Sequence, residues 1–327
     1  MYINSKIALL FLLLNLTIVN GINAQCCSGG VPMSGSLGIA STERNTWSFL
    51  LTHDYNVMQD LFESDRSLND NLRKRTTHSL LLEVNYGIYK NLALTGVFSF
   101  VRQGREIQTV FDESTFTATT GLGDAILLVK YTAINPTKFE NYRWTIGAGP
   151  KFPIGRTNFT SNQGLALPAD MQPGTGAWDL MLWTSFERYH LFVRNFNIAT
   201  ALTYRYTGIN KDYFGSQEYQ FGNEFSFTLQ NTYRFFLGTK IFDAILSFRY
   251  RNQAIDQIDG REFPNSGGNF IYILPGLSYN FNPNWSISFS SQLPLYRNVG
   301  GTQLATSYKL ISSVFWRIKR KDKININ

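Results

Sequence analysis

Much of this chain alternates with a period of two. From Tyr219 to Phe235, the residues Phe221, Phe225, Phe227, Leu229, Tyr233 and Phe235 share one parity, and Gln220, Gly222, Glu224, Ser226, Thr228 and Gln230 share the other. Successive side chains of a strand point to opposite faces, so the pattern describes a strand with one apolar and one polar side. The same holds for Phe242, Ala244, Leu246, Phe248 and Tyr250 against Asp243, Ser247, Arg249 and Arg251. It holds for Trp285, Ile287, Phe289 and Leu293 against Ser286, Ser288, Ser290 and Gln292. Leu80, Leu82, Val84, Tyr86 and Ile88 likewise face away from Glu83, Asn85 and Gly87. Along the whole chain this gives twelve segments, at 46–57, 77–89, 92–102, 122–133, 142–154, 177–188, 191–206, 219–235, 239–252, 269–281, 285–296 and 303–318. Each reaches the roughly 9–11 residues that a tilted strand needs to cross a bilayer.

The connections alternate as well. Long ones fall at 58–76, 103–121, 155–176, 207–218 and 253–268, with a shorter one at 297–302. Short ones fall at Lys90-Asn91, near Asn135-Pro136, at Tyr189-His190, at Leu237-Gly238 and at Asn282-Pro283-Asn284. Outer-membrane barrels have short periplasmic turns and longer external loops, whereas a soluble sandwich has no reason to alternate them. The fold predicted is therefore an all-β, antiparallel transmembrane barrel of about twelve strands with both termini periplasmic. Pairing about Leu237-Gly238 sets Glu224 opposite Arg251 and Ser226 opposite Arg249. Pairing about Pro283 sets Phe281 opposite Trp285 and Tyr279 opposite Ile287. Aromatics near strand ends (Tyr142, Trp144, Tyr189, Tyr233, Trp285, Trp316) are placed in interfacial girdles.

The N-terminus fits export. Lys6 precedes the apolar run Ile7–Leu14, and the small-residue stretch Gly21-Ile22-Asn23-Ala24 follows. That is the layout of a cleaved signal peptide. The expected organisation is a signal peptide at 1–24, a periplasmic segment at 25–45, the barrel at 46–318 and a basic tail at 319–327. The chain carries 26 Phe, 17 Tyr and 6 Trp, and only 16% of its residues are charged. Soluble domains carry roughly 25%. A net charge of +7 is spread along the sequence without a basic stripe, so nucleic acid is not an expected partner. The adjacent Cys26 and Cys27 cannot staple a fold.

Several motifs resemble a family. Gly121-Leu-Gly-Asp124, leading to Lys130-Tyr131, is similar to the "GLGD…KY" strand of the outer-membrane transporter-like family named after the meta-pathway of phenol degradation. Lys151-Phe-Pro-Ile-Gly155 resembles its "K-x-P-x-G" turn. Gln172-Pro-Gly-Thr-Gly-Ala-Trp-Asp179 resembles its "QPGTGSWD" segment. Gln292-Leu-Pro-Leu-Tyr296 with Gly301-Thr-Gln-Leu304 resembles its last hairpin. The resemblance spans roughly residues 80–318 and implies a channel or transporter-like barrel in the outer membrane, passing a small hydrophobic or aromatic molecule. It names no solute. Outer-membrane lipids and the barrel-insertion machinery are the partners implied. The chain departs from the family at Cys26-Cys27-Ser-Gly-Gly and in ending on Phe315-Trp-Arg-Ile318 plus a charged tail.

The candidate site is the polar face: Glu83, Asp124, Lys130, Arg143, Lys151, Asp179, Arg205, Glu224, Asp243, Arg249, Arg251 and Lys309. Mixed charges in a lumen set a pore's field and selectivity. They also serve as a plug of ion pairs in a narrow barrel, and both readings stand at this point. Inward Ile126, Leu128 and Ile245 suggest a partly hydrophobic passage. Gln172 and Trp178 are candidates for an inward-folded constriction, although Pro173, Gly174 and Gly176 explain a turn by themselves. Cys26 and Cys27 are weak soft-metal candidates, two thiolates making an incomplete site. No cofactor motif is present. A closed structural or adhesive barrel is the alternative from another class. A barrel lipid hydrolase would draw on His53 or His78, but no Gly-x-Ser-x-Gly elbow marks a nucleophile, and no enzyme is expected.

Overall fold

The computed structural model describes residues 43–108, 114–137, 140–161 and 163–319. The expected signal peptide, Cys26, Cys27 and nearly all of the basic tail lie outside the described residues. In chain order the strands are β1 (Thr46–Glu63), β2 (Arg66–Leu68), β3 (Arg73–Gly87), β4 (Leu92–Gln108), β5 (Ser114–Leu122), β6 (Ala125–Ile134), β7 (Tyr142–Phe152), β8 (Asp179–Arg188) and β9 (Phe196–Tyr206). They continue as β10 (Ile209–Tyr213), β11 (Gln217–Gln220), β12 (Glu224–Leu237), β13 (Lys240–Gln253), β14 (Gln257–Ile258), β15 (Arg261–Glu262), β16 (Gly268–Asn282), β17 (Trp285–Val299) and β18 (Thr302–Lys319). One 3-10 turn covers Ala169–Met171.

The wall runs β1-β3-β4-β6-β7-β8-β9-β12-β13-β16-β17-β18, all antiparallel, and β18 pairs back onto β1 from Thr46↔Lys319 to Glu63↔Thr302. β5 extends the line of β6 along β4, beyond a break at Gly123-Asp124. The two act as one barrel strand, so twelve strands close the barrel. Closure pairs the edge backbone groups that lipid could not satisfy. No described helix is long and apolar enough to cross a membrane; the strands do so instead.

The alternation falls as the sequence predicts. Phe98, Phe100, Leu127, Val129, Ile146, Leu182, Leu202, Leu277, Ile287 and Phe289 stand exposed on the outer face. Thr52, Glu83, Thr95, Lys130, Thr145 and Ser185 are buried inside. At the end that holds both chain termini, Trp47 packs on Tyr86 at 4.5 Å, Phe49 on Trp316 at 4.6 Å, and Trp285 on Trp316 at 5.7 Å between ring centres. This is an interfacial girdle.

Several boundaries and registers differ from expectation. The connections 58–76 and 103–121 are largely strand, because β1, β3, β4 and β5 rise past the bilayer-spanning length. The segment 219–235 starts at Glu224, and Tyr219 and Phe221 are buried in the loops. The β12–β13 hairpin pairs Leu237↔Lys240, which sets Ser226 opposite Arg251 and Thr228 opposite Arg249. The turn slides because Gly238, at φ +62°, takes its first central position. A two-residue slip keeps every side chain on its face. At the β16–β17 turn, Tyr279 does pair with Ile287, but a bulge puts Asn282 rather than Phe281 opposite Trp285.

At the end opposite the termini, β10-β11-β14-β15 form a small second sheet. Ala169 of the 3-10 turn packs there with Tyr213, Tyr219 and Phe221.

Candidate functional site

Eleven of the twelve charged candidates sit on strands whose parity points them inward, and Asp124 sits at the β5/β6 break. The structure gathers them into separate groups, ion-paired except at Arg249, whose hydrogen-bond partners are Thr228 and Gln292. The tightest is built around Lys151 at the end of β7. Its Nζ donates to Asp124 Oδ2 at 2.7 Å, to the Ala177 carbonyl at 2.9 Å and to the Thr175 hydroxyl, and it lies 3.1 Å from Asp179 Oδ2. Lys151 and Asp124 are wholly buried. Asp124 also accepts from the backbone N–H groups of Gly155 and Thr175, both at 3.0 Å. Asp179 accepts from the N–H of Gly208 at 3.1 Å. The group thus ties the β5/β6 break, the end of β7, the start of β8 and two loops into one knot. The stretch 153–178 runs across the wall here, with the backbones of Gly155 and Gly174 in direct contact. A Cβ on Gly174 would overlap the Gly155 backbone. Gly174→Ala is therefore expected to loosen this loop, read as faster limited proteolysis between 155 and 178 in a barrel that still shows its folded gel mobility. Unchanged cleavage would count against the contact.

The same loop reaches into the barrel mouth. Asp170 accepts from Arg75 Nη1 at 2.5 Å and Arg105 Nη2 at 2.7 Å, from β3 and β4. Arg75 Nη2 also donates to Gln103 and to the Asp170 carbonyl. The Thr119 hydroxyl donates to the Met171 carbonyl at 2.7 Å. Burial pushes the Asp170 carboxyl up, but Arg75 and Arg105 outweigh it and hold it below its ordinary value. Higher in the loops, burial raises Asp256, which accepts from the Tyr219 hydroxyl at 2.6 Å and the Gly222 N–H at 2.7 Å.

Gln172 lies in the inward-folded stretch, where its backbone carbonyl accepts from the Gln103 amide of β4 at 3.4 Å, whereas Trp178 turns outward. Gln172 is buried, and its amide braces the loop through the Leu167 and Phe159 carbonyls at 2.9 and 3.0 Å. Trp178 is exposed and packs against Phe152 at 4.9 Å on the outer side, because Asp179 takes the inward position next to it. Asp170 enters the mouth instead.

The other groups line the interior. Glu224 accepts from Arg251 Nε at 2.8 Å and lies 3.2 Å from Arg205 Nη2. Arg249 donates to Gln292 at 2.9 Å and to Thr228 at 3.2 Å. Lys130 is 3.4 Å from Glu83 and 4.5 Å from the centre of the Trp183 ring. Lys309 pairs with Asp54 at 3.1 Å, Arg143 with Glu187 at 3.7 Å, and Asp243 with Arg234 at 2.7 Å. Arg75, Arg105, Asp170, Asp54 and Arg234 are absent from the sequence-based set. Parity alone marks Asp54 beside Thr52 within the expected 46–57 segment, and Arg75 beside Ser79 once β3 is extended to its full length. Nothing in the sequence marks Asp170.

Apolar side chains share this interior. Leu81, Val97, Ile126, Leu128, Met181 and Trp183 form one buried cluster, and Phe270, Tyr272, Leu274 and Ile311 belong to a second. Toward the termini many inward residues are small; Ala199, Ala201, Ser226, Thr228, Ser286, Ser288 and Ser290 stay partly exposed, whereas Thr46, Ser48, Asn85, Thr132 and Thr145 are buried.

A closed barrel with an apolar outer wall and a charged interior defines an outer-membrane β-barrel protein. The family model described as "Putative MetA-pathway of phenol degradation" matches residues 69–310, and the chain belongs to that family. The fold is similar to the COG4313 outer membrane channel from Pseudomonas putida F1, with a TM-score of 0.65 at 13% identity over 88% of this chain and 100% of that one. More distant matches include the CymD monoaromatic hydrocarbon channel (TM-score 0.42, 10% identity, 90% and 98% covered). The P. putida toluene transporter TodX also matches (TM-score 0.43, 8% identity, 93% and 99% covered). A search of curated proteins finds no match.

Proposed function

We propose that this protein is a gated outer-membrane channel for a small hydrophobic or aromatic solute, with its termini in the periplasm and its long loops outside. The observation that carries the proposal is the inward apolar surface, with Leu128, Met181, Trp183, Phe270 and Tyr272 all buried among paired charges. Barrel interiors are ordinarily polar, and a purely structural barrel gains nothing from aromatics there. The ion pairs hold the wall's shape, while the apolar clusters offer a passage to a solute with few hydrogen bonds. The family and the channels it resembles in fold support this reading. The orientation follows from loop lengths, since short turns are the periplasmic ones.

The closed-barrel reading draws on one observation, that Asp170 docks its loop onto Arg75 and Arg105 at the mouth. A hydrolase is not favoured: His53 and His78 face outward and hydrogen-bond to each other at 3.3 Å. The test is ion current through the purified chain in planar bilayers, with and without an aromatic solute. Current steps that toluene blocks more strongly than a sugar of similar size are expected, with the block weakened about tenfold by Met181→Gln/Leu128→Asn, on the scale of roughly 1.4 kcal/mol lost. A folded barrel showing no current and no toluene binding would establish the closed reading instead.

A further inference from the structure

Charge on the outer wall is confined to one place. Between the girdle at the terminal end and the loop end, the described outward positions are apolar, hydroxyl, amide or phenol, except on β1, β3 and β4. There Tyr55, His78 and Arg102 are cross-strand neighbours in a single row, and His53 sits one outward step below. His53 Nε2 lies 3.3 Å from His78 Nδ1, and the Tyr55 ring packs on His78 at 4.6 Å. The outward cross-strand neighbours of His78 are Tyr55 and Arg102, neither of them a carboxylate. The outward acid on the same strands is Glu106, beyond Arg102 and opposite Lys74.

The height of this row is informative. Tyr55 follows Trp47 by eight residues, about 26 Å along a strand and about 20 Å along the axis of a barrel of ordinary tilt. The apolar band of such barrels is about 25 Å tall. The row therefore lies about 5 Å inside the far edge of that band, above exposed Leu80, Phe98 and Phe100, from where the long Arg102 side chain reaches the headgroup level. Arg102 is a permanent cation and is costly near a membrane edge without a counter-charge. The two imidazoles stand beside it, at least one of them neutral because one nitrogen must accept in the His53–His78 hydrogen bond. An anion bound here would need an apolar body lying against Leu80 and Phe98, a requirement that lipid meets and a free ion does not.

We propose that His53, His78 and Arg102 form an outward-facing binding site for the phosphate of an anionic lipid headgroup, whose acyl chains lie along Leu80, Phe98 and Phe100. Native mass spectrometry of the folded protein, released from micelles containing equal amounts of phosphatidylglycerol and phosphatidylcholine, tests this. Preferential retention of phosphatidylglycerol is expected, falling about fivefold in Arg102→Gln and close to parity in His78→Gln/Arg102→Gln. Thr200→Val, outward on a distant part of the wall, should leave the preference unchanged. Folded gel mobility confirms that each variant is a barrel. Equal retention by the unaltered protein, or a preference that survives the double change, overturns the site. A preference abolished by millimolar inorganic phosphate overturns the lipid assignment in favour of a soluble anion.

Discussion

Lys151→Met is expected to destabilise the barrel by about 3–5 kcal/mol, the usual result of removing one partner from a buried ion pair. Lys151 is fully buried, and its ammonium stands between two buried carboxylates, those of Asp124 and Asp179. Without it the carboxylates face each other with no cation within reach. The Thr175 hydroxyl and the Ala177 carbonyl also lose the Lys151 hydrogen bond and keep the longer 3.4 Å contacts between Thr175 and Ala177. The loss should appear as a lower temperature for disappearance of the folded gel mobility and as an earlier midpoint in denaturant. The control is Asp124→Asn/Lys151→Met/Asp179→Asn, which removes every charge together. It should recover much of the loss, because the penalty comes from uncompensated charge rather than from a missing contact. A triple variant as unstable as Lys151→Met alone would show that packing, not charge balance, holds the knot.

Lys151 also shows what a sequence can disclose here. Its parity with Arg143 and Thr145 on its own strand marks it as inward, and the residues around it carry the family resemblance. Strand count, facing and closure all follow from a period of two and from alternating loop lengths, both of which are local signals. Pairing partners are less local. The β12–β13 register depends on which central position Gly238 occupies, and composition does not decide that. The loop contacts are the least legible. Asp170 lies some 95 residues from Arg75 in sequence, and only the folded path of 153–178 brings them together. Trp178 and Gln172 show the same limit. A loop's residue types are visible in the sequence, whereas the direction each side chain takes depends on where the two glycine backbones touch.

Asp170 is also the residue whose change should alter transport most. Its carboxylate bonds two arginines of the wall, and at 26% side-chain exposure it is partly screened, so the anchor is worth about 2 kcal/mol. If the loop exchanges between a docked and an undocked position, that difference shifts the ratio by about thirtyfold. Asp170→Asn should therefore raise the frequency of open steps in planar bilayers by that order, with the size of each step unchanged, since the wall itself is untouched. The pH dependence has a definite sign. The Asp170 pKa is held below its ordinary value, so docking is complete above about pH 4 and is lost as the pH falls through the lowered pKa. Asp256 works in the opposite sense: its raised pKa adds stability to the loops below its ordinary value, and that contribution fades as the pH rises through the raised one. Acid-induced opening that Asp170→Asn abolishes would assign the gate to Arg75, Arg105 and Asp170. Acid opening that persists in that variant would place the gate elsewhere in the loops, and open steps equally frequent in both proteins at neutral pH would mean that the docked loop does not obstruct the passage.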